Sequence, residues 1–196
     1  GCRIPSNKLA NKLITSFDMP IAAPSANLSE RTSVTNIMDI DPILEKKIFV
    51  LKDKQSTHGL ESTVVRIDNN NRIEVLRYGS ITVEDLNKFA KVKIKKKSSI
   101  SPGNLKKHYS TLKPIRMNAK KILKDEGLLN FGNNKLKSNI INLNLSNKKN
   151  LNEAAKNFYH FLHKLDQSKC KKIAVAEIPN KGLGKTINDR LRRAIK

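Results

Sequence analysis

Two hydrophobic periods alternate along this chain, one of 3.6 residues and one of two, and their order predicts an α/β protein. Near the start, Leu9, Ala10, Leu13, Ile14 and Phe17 recur at helical spacing, with Ser6 placed to cap them. A shorter apolar run, Ile21-Ala22-Ala23, stops at Pro24, which ends any helix there and holds Ala23 extended. Thr35 can cap a second helix from Asn36 to about Lys46, interrupted near Asp41-Pro42, and residues 47–51 read as a short strand. Residues 59–68 run from loop into strand, 68–71 form a turn cluster, and 72–78 return as a strand through Ile73, Val75 and Leu76, which predicts a hairpin. Gly79 ends it, and Thr82 caps a short helix through Leu86 and Phe89.

The pattern then breaks and resets. Residues 91–97 are a basic run, and 98–114 are rich in Ser, Pro, Gly and Lys, which marks a domain boundary. A solvated linker explains the lysines better than an RNA contact does. Beyond it, 114–117 read as a strand, 118–126 as a helix closed by Gly127, and Ile140, Ile141 and Leu143 as a second strand. Asn150 and Glu153 have capping-box spacing ahead of a helix carrying Leu151, Ala154, Ala155, Phe158, Phe161, Leu162 and Leu165 on one face. Residues 173–178 are a buried-type strand, and 181–196 a Gly-containing loop followed by a basic helix around Leu191. Strands alternating with helices predict a small parallel α/β domain here.

The chain's 196 residues suffice for one large or two small domains, and a hydrophobic share of 38% can fill ordinary cores. Charge changes the picture more. Lys and Arg number 39 against 17 acidic residues, a net +22. Such an excess suits polyanionic partners, nucleic acid or nucleotides, or else reflects a genome that over-uses Lys, Asn and Ile. Aromatics are only 5% and Trp is absent, so base-stacking platforms are not evident. Cys2 and Cys170 offer no disulfide framework, and a reducing, cytoplasmic setting is expected. No apolar run reaches the length of a membrane span, and no signal peptide is evident. The opening Gly1-Cys2-Arg3 reads as the interior of a larger protein.

Ser25 and Asn27, two apart after Pro24, project to one side of an extended segment and could meet phosphate or ribose oxygens; the alternative is a turn in which Asn27 caps the next segment. His160 and His163 sit three apart, but no Cys or carboxylate set joins them, so they are expected on a solvated helix face. Gly182-x-Gly184 lacks the strand and helix of a dinucleotide loop.

Five pieces stand in order: Arg3-Ile4-Pro5; Ala23-Pro24-Ser25-Ala26-Asn27-Leu28-Ser29; Gly59-Leu60-Glu61-Ser62-Thr63-Val64-Val65; Leu76-Arg77-Tyr78-Gly79-Ser80-Ile81; and Ser101-Pro102-Gly103 with His108-Tyr109. With Leu151-Asn152-Glu153-Ala154-Ala155, Leu165-Asp166 and the run from Gly182 through Asn188-Asp189-Arg190-Leu191 to Ala194, the chain resembles the two-domain Sua5/YrdC family of threonylcarbamoyl-AMP synthases. The resemblance implies the later part of a YrdC-like catalytic domain at 1–96, a linker and lid at 97–113, and a Sua5 domain at 114–196. It implies a nucleotidyltransferase that joins L-threonine, bicarbonate and ATP, with Mg2+, into threonylcarbamoyl-AMP and pyrophosphate. The product serves N6-threonylcarbamoylation of adenosine 37 in tRNA, and tRNA or the proteins that transfer the group are implied partners. Carried onto this sequence, Ser25, Asn27, Thr35, Arg77 and Tyr109 would bind nucleotide, and Arg3 and Ser62 threonine. The family's early YrdC segment, with its Lys and Arg pair, has no counterpart here, so a fragment, a split gene product with a separate N-terminal half, or a decaying remnant is expected. The loop after Ser29 also differs: Glu30-Arg31-Thr32-Ser33-Val34-Thr35 replaces Gly-Arg-Pro-Ser-Pro-Thr, and Lys52-Asp53-Lys54 stands where a Gly-Gly turn is usual. The competing reading is a basic, non-catalytic module that binds tRNA or double-stranded RNA.

Overall fold

The structure, a computed structural model, describes residues 1–28, 31–51, 56–94 and 110–195. Its elements run α1 (Lys8–Phe17), a 3-10 turn (Ile37–Asp39), α2 (Pro42–Glu45), β1 (Val64–Ile67), β2 (Ile73–Arg77), α3 (Val83–Leu86), β3 (Val92–Ile94), β4 (Ile115–Arg116), β5 (Glu126–Asn130), β6 (Asn142–Asn144), α4 (Leu151–Gln167), β7 (Lys172–Val175) and α5 (Gly182–Ala194). Two sheets result, ordered β1-β2-β3 and β4-β7-β5-β6, and the protein is α/β as its periodicity predicts.

In the first sheet β1 and β2 pair antiparallel across the turn at Asp68, whose Oδ1 accepts from the Asn70 and Arg72 amides. A β-bulge shifts the register between Val64 and Val65, so Val64 faces Arg77 while Val65 faces Val75. Such a bulge turns the strand end and re-aims its side chains. β3 joins β2 in parallel from within the basic run, so Val92–Ile94 is strand rather than linker. Residues 95–97 of that run lie outside the described residues.

The second sheet is wholly parallel. Leu129, Ile173 and Val175 are fully buried in its middle strands, packed with Ala154, Phe158, Leu162 and Leu165 of α4 and Ile187 and Leu191 of α5. Leu60, from the loop before β1, packs into this same core, so the two halves of the chain share apolar contacts. No helix among the described residues is long and apolar enough to cross a membrane.

Several local expectations are corrected. Asn7, not Ser6, caps α1, accepting from the Ala10 amide at 2.8 Å. The predicted 36–46 helix is two short pieces capped by Asn36 and Asp41, because Pro42 fits only a first turn. Residues 47–51 form no strand; Phe49 is exposed and no partner strand pairs there among the described residues. Residues 118–125 form no helix, and 126–130 are the central strand β5. Gly127 is a strand residue beside Ile141, Leu165 and Cys170, not a helix stop. The expected loop at 181–184 is already the first turn of α5.

Asn150 caps α4 through the Asn152 and Glu153 amides, while the Glu153 carboxylate turns to Ser146 Oγ instead of closing the box. Asn150→Ala is expected to lower stability by about 1 kcal/mol, read as a fall in urea midpoint at unchanged m-value.

Candidate active-site loops and the helices that hold them

Three loops of the first half carry most of the residues singled out in the sequence. The 27–35 loop holds Asn27 and Thr35. The Asn27 amide nitrogen donates to the carbonyls of Leu28 (2.8 Å) and Arg31 (3.2 Å), so it does fold a turn on itself. Its Oδ1, and Thr35 Oγ1, are buried with no hydrogen-bond partner among the described residues. Buried acceptors left in that state normally find water or a ligand. Thr35 caps nothing; Asn36 does.

The 59–63 and 77–80 loops flank the bulge. The Arg77 guanidinium donates to the Ser62 carbonyl at 2.9 Å and lies 3.4 Å from its hydroxyl. The Ser80 amide donates to the Glu61 carbonyl at 2.9 Å. The packing between these loops admits no side chain at Gly79: a Cβ there would stand 2.2 Å from the Thr63 nitrogen. Of the predicted residues, Ser62 and Arg77 are thus brought together, while Arg3 and Ser25 are exposed on the segments before α1 and after Pro24. Tyr109, His108 and the Ser101-Pro102-Gly103 stretch lie outside the described residues. Ser110, immediately beyond, forms a parallel bridge with Arg31 of the first loop. The two described cavities, of about 480 and 450 Å3, are elsewhere: one beside Asn130, Lys135 and Asn142 at the ends of β5 and β6, the other at the Asp68 turn.

What the sequence did not single out is a polar junction behind these loops. Glu61 accepts from Ser33 Oγ, from Tyr159 Oη of α4 at 2.7 Å and from Arg190 Nε of α5 at 2.9 Å. Arg190, with no exposed side-chain surface, also donates to the Tyr78 carbonyl and to Asp189 at 2.6 Å. Thr186 Oγ1 donates to the Gly79 carbonyl at 3.0 Å, and the Lys185 ammonium sits 5.0 Å from the Tyr78 ring centroid. Burial by itself raises the Glu61 carboxyl, but the Arg190 charge and hydrogen bonds from Ser33, Tyr159 and Arg190 overcome it and hold the group below its ordinary 4.5. His160 and His163 are corrected too. They are not on a solvated face: His160 Nδ1 meets Asp39 at 3.0 Å, and His163 Nε2 meets Thr32 Oγ1 at 3.0 Å. One signal was available for these residues. Tyr159 falls inside the apolar face of α4, and Arg190 directly precedes the buried Leu191, so both are polar groups where a helix is packed.

Among the described residues no three His, Cys or acidic side chains gather as a metal site.

The comparisons agree from end to end. The family model described as threonylcarbamoyl-AMP synthase, C-terminal domain, matches residues 81–195, more than half of the chain. The chain belongs to this family. A second model of the Sua5/YrdC set, described as telomere recombination, matches residues 1–79. Threonylcarbamoyl-AMP synthase of Pyrococcus abyssi is 26% identical over 220 residues, covering 98% of this chain and 62% of the relative. That of Bacillus subtilis is 35% identical over 121 residues, 58% of this chain and 35% of the relative. The Sua5-family chain therefore spans less than two thirds of the length of the curated relatives it matches. Among solved structures, P. abyssi Sua5 complexed with L-threonine superposes with a TM-score of 0.82 at 24% identity over 98% of this chain and 62% of that one. A His/Tyr-to-Ala double variant of the same protein gives 0.76 at 24% identity. At that identity the likeness establishes the fold.

Proposed function

We propose that this chain is part of an L-threonylcarbamoyladenylate synthase, in which the 27–35, 59–63 and 77–80 loops bind L-threonine and the nucleotide. The observation that carries the reading is the pairing of Arg77 with Ser62, next to a loop whose Asn27 and Thr35 oxygens are buried without partners among the described residues. In the reaction, a carbamate formed from threonine and bicarbonate attacks the α-phosphorus of ATP and pyrophosphate leaves. Two anions must be held together while charge shifts between them. Guanidinium and hydroxyl donors fixed in place suit that task, and no protein nucleophile is needed. Arg77 and Arg3 would face phosphate and carboxylate oxygens, Ser62 the amino acid, and Ser25, Asn27 and Thr35 the nucleotide. Tyr109 would close over it, a role supported by the Ser110–Arg31 bridge at the linker's described end.

The same reading divides the chain at 97–113, and β3, which extends the first sheet to Ile94, supports that division. The product would pass to the proteins that modify adenosine 37 of tRNA. P. abyssi Sua5, which shares this fold, forms a complex with L-threonine, and this supports threonine as substrate. Calorimetric titration of L-threonine tests the site. Ser62→Ala is expected to weaken L-threonine binding about tenfold, and Arg77→Lys to weaken ATP binding about tenfold in a parallel titration. Parent-like affinity in both would remove these loops from the site.

A further inference from the structure

We infer that Arg190 is a positioning residue: by gripping Glu61 and the Tyr78 carbonyl together, α5 fixes the spacing of the two loops that present Ser62 and Arg77. Threonine recognition would then depend on the C-terminal half of the chain. This rests on the threonine-binding reading above.

Each residue held is the immediate neighbour of a proposed ligand residue. Glu61 precedes Ser62, and Tyr78 follows Arg77. The Arg190 guanidinium reaches Glu61 Oε2 through Nε and the Tyr78 carbonyl through its second terminal nitrogen, while the first is tied back to Asp189. A planar fork with donors at fixed angles sets a distance between its two acceptors, which a Lys ammonium on a flexible stem cannot reproduce. The neighbouring contacts act in the same sense. Thr186 holds the Gly79 carbonyl, Tyr159 holds Glu61, and Gly59 presses so closely on α4 that its Cβ would stand 2.3 Å from the Ala155 oxygen. His163 holds the third loop through Thr32, and His160 holds the 3-10 turn just after it through Asp39. All three loops are therefore anchored to α4 or α5.

Mere cohesion would be an alternative reading of such a pair. The second sheet contains its own comparison, because Arg116 grips the buried Glu126 through Nε at 2.8 Å, and neither residue contacts the three loops in any hydrogen bond described.

The test uses the whole chain with L-threonine as probe. Arg190→Lys, Glu61→Gln and Arg116→Met are compared by titration calorimetry and by amide hydrogen exchange. Arg190→Lys and Glu61→Gln are expected to weaken L-threonine binding about tenfold. Exchange should rise at 60–63 and 77–80 while β5 and β7 stay protected. Arg116→Met should bind as the parent does. Should Arg190→Lys fail to fold, Glu61→Gln weakens the same link from the other end by removing its charge. Parent-like affinity in both link variants, or equal weakening in Arg116→Met, overturns the inference. If the parent itself binds no L-threonine, the functional reading falls separately. Exchange then decides this one: selective loosening of the two loops upholds it, and unchanged protection ends it.

Discussion

Replacing Arg190 with Met should destabilise this protein by about 3–5 kcal/mol at neutral pH, a large share of the total stability of an ordinary domain. The guanidinium has no exposed surface, and its partner Glu61 is largely buried. Met fills much of the same volume but leaves the carboxylate without its counter-charge and the Tyr78 carbonyl without that donor. Ser33 and Tyr159 still donate to Glu61, which tempers the loss but supplies no charge. The pH dependence separates this cause from simple repacking. In the parent, Glu61 titrates below its ordinary 4.5 in the folded state. It therefore contributes stability that is fully present above that value and lost as the pH falls through the folded one. In Arg190→Met, burial without the counter-charge acts in the opposite direction and raises the folded value. The gap between parent and variant should consequently be widest near pH 7 and narrow on acidification toward pH 4. Urea unfolding at several pH values measures it, and a gap that stays constant would place the damage in packing instead.

How much of this was legible in the sequence depends on which contacts make each element. The hairpin at β1 and β2 and the long helix α4 are local, written in alternating Val and Ile positions and in a helical apolar stripe, and both stand where the pattern puts them. β5 was missed because a central parallel strand is buried on both faces and loses its alternation; Gly127 then reads as a helix stop. β3 hid in a lysine run because only its backbone is needed at a sheet edge. The stripe of α1 was read correctly as apolar, yet Leu13 and Phe17 stay about half exposed, a fact about the surroundings that no periodicity carries. The site divides in the same way. Ser62 and Arg77 meet because a bulge aligns two neighbouring strands. The junction of Glu61, Tyr159 and Arg190 joins residues 98 and 129 positions apart, and nothing local pairs them.

Gly79→Ala should also be damaging, though it deletes no interacting group. A Cβ at this position would lie 2.2 Å from the Thr63 nitrogen, 2.3 Å from the Ser62 carbonyl carbon and 2.5 Å from the Glu61 oxygen. All three are backbone atoms, so no rotamer change can make room. At Gly127, by contrast, the nearest atoms are side-chain atoms at 2.8–3.0 Å, which must shift but involve no backbone. The 77–80 segment must instead move away from 61–63, stretching the Ser80–Glu61 hydrogen bond and the Arg77–Ser62 contact together. Overpacking of this kind costs about 1–3 kcal/mol or more. On the proposed reading of these loops the larger effect falls on recognition, because a displacement of about 1 Å between cooperating groups can cost on the order of a hundredfold. Gly79→Ala is accordingly expected to lower L-threonine affinity far more than its loss of stability accounts for, whereas Gly127→Ala should lower stability and leave affinity near the parent value. Calorimetry and urea unfolding on the two variants read both quantities. An affinity in Gly79→Ala that tracks stability alone would show that the two loops need not touch for threonine to bind.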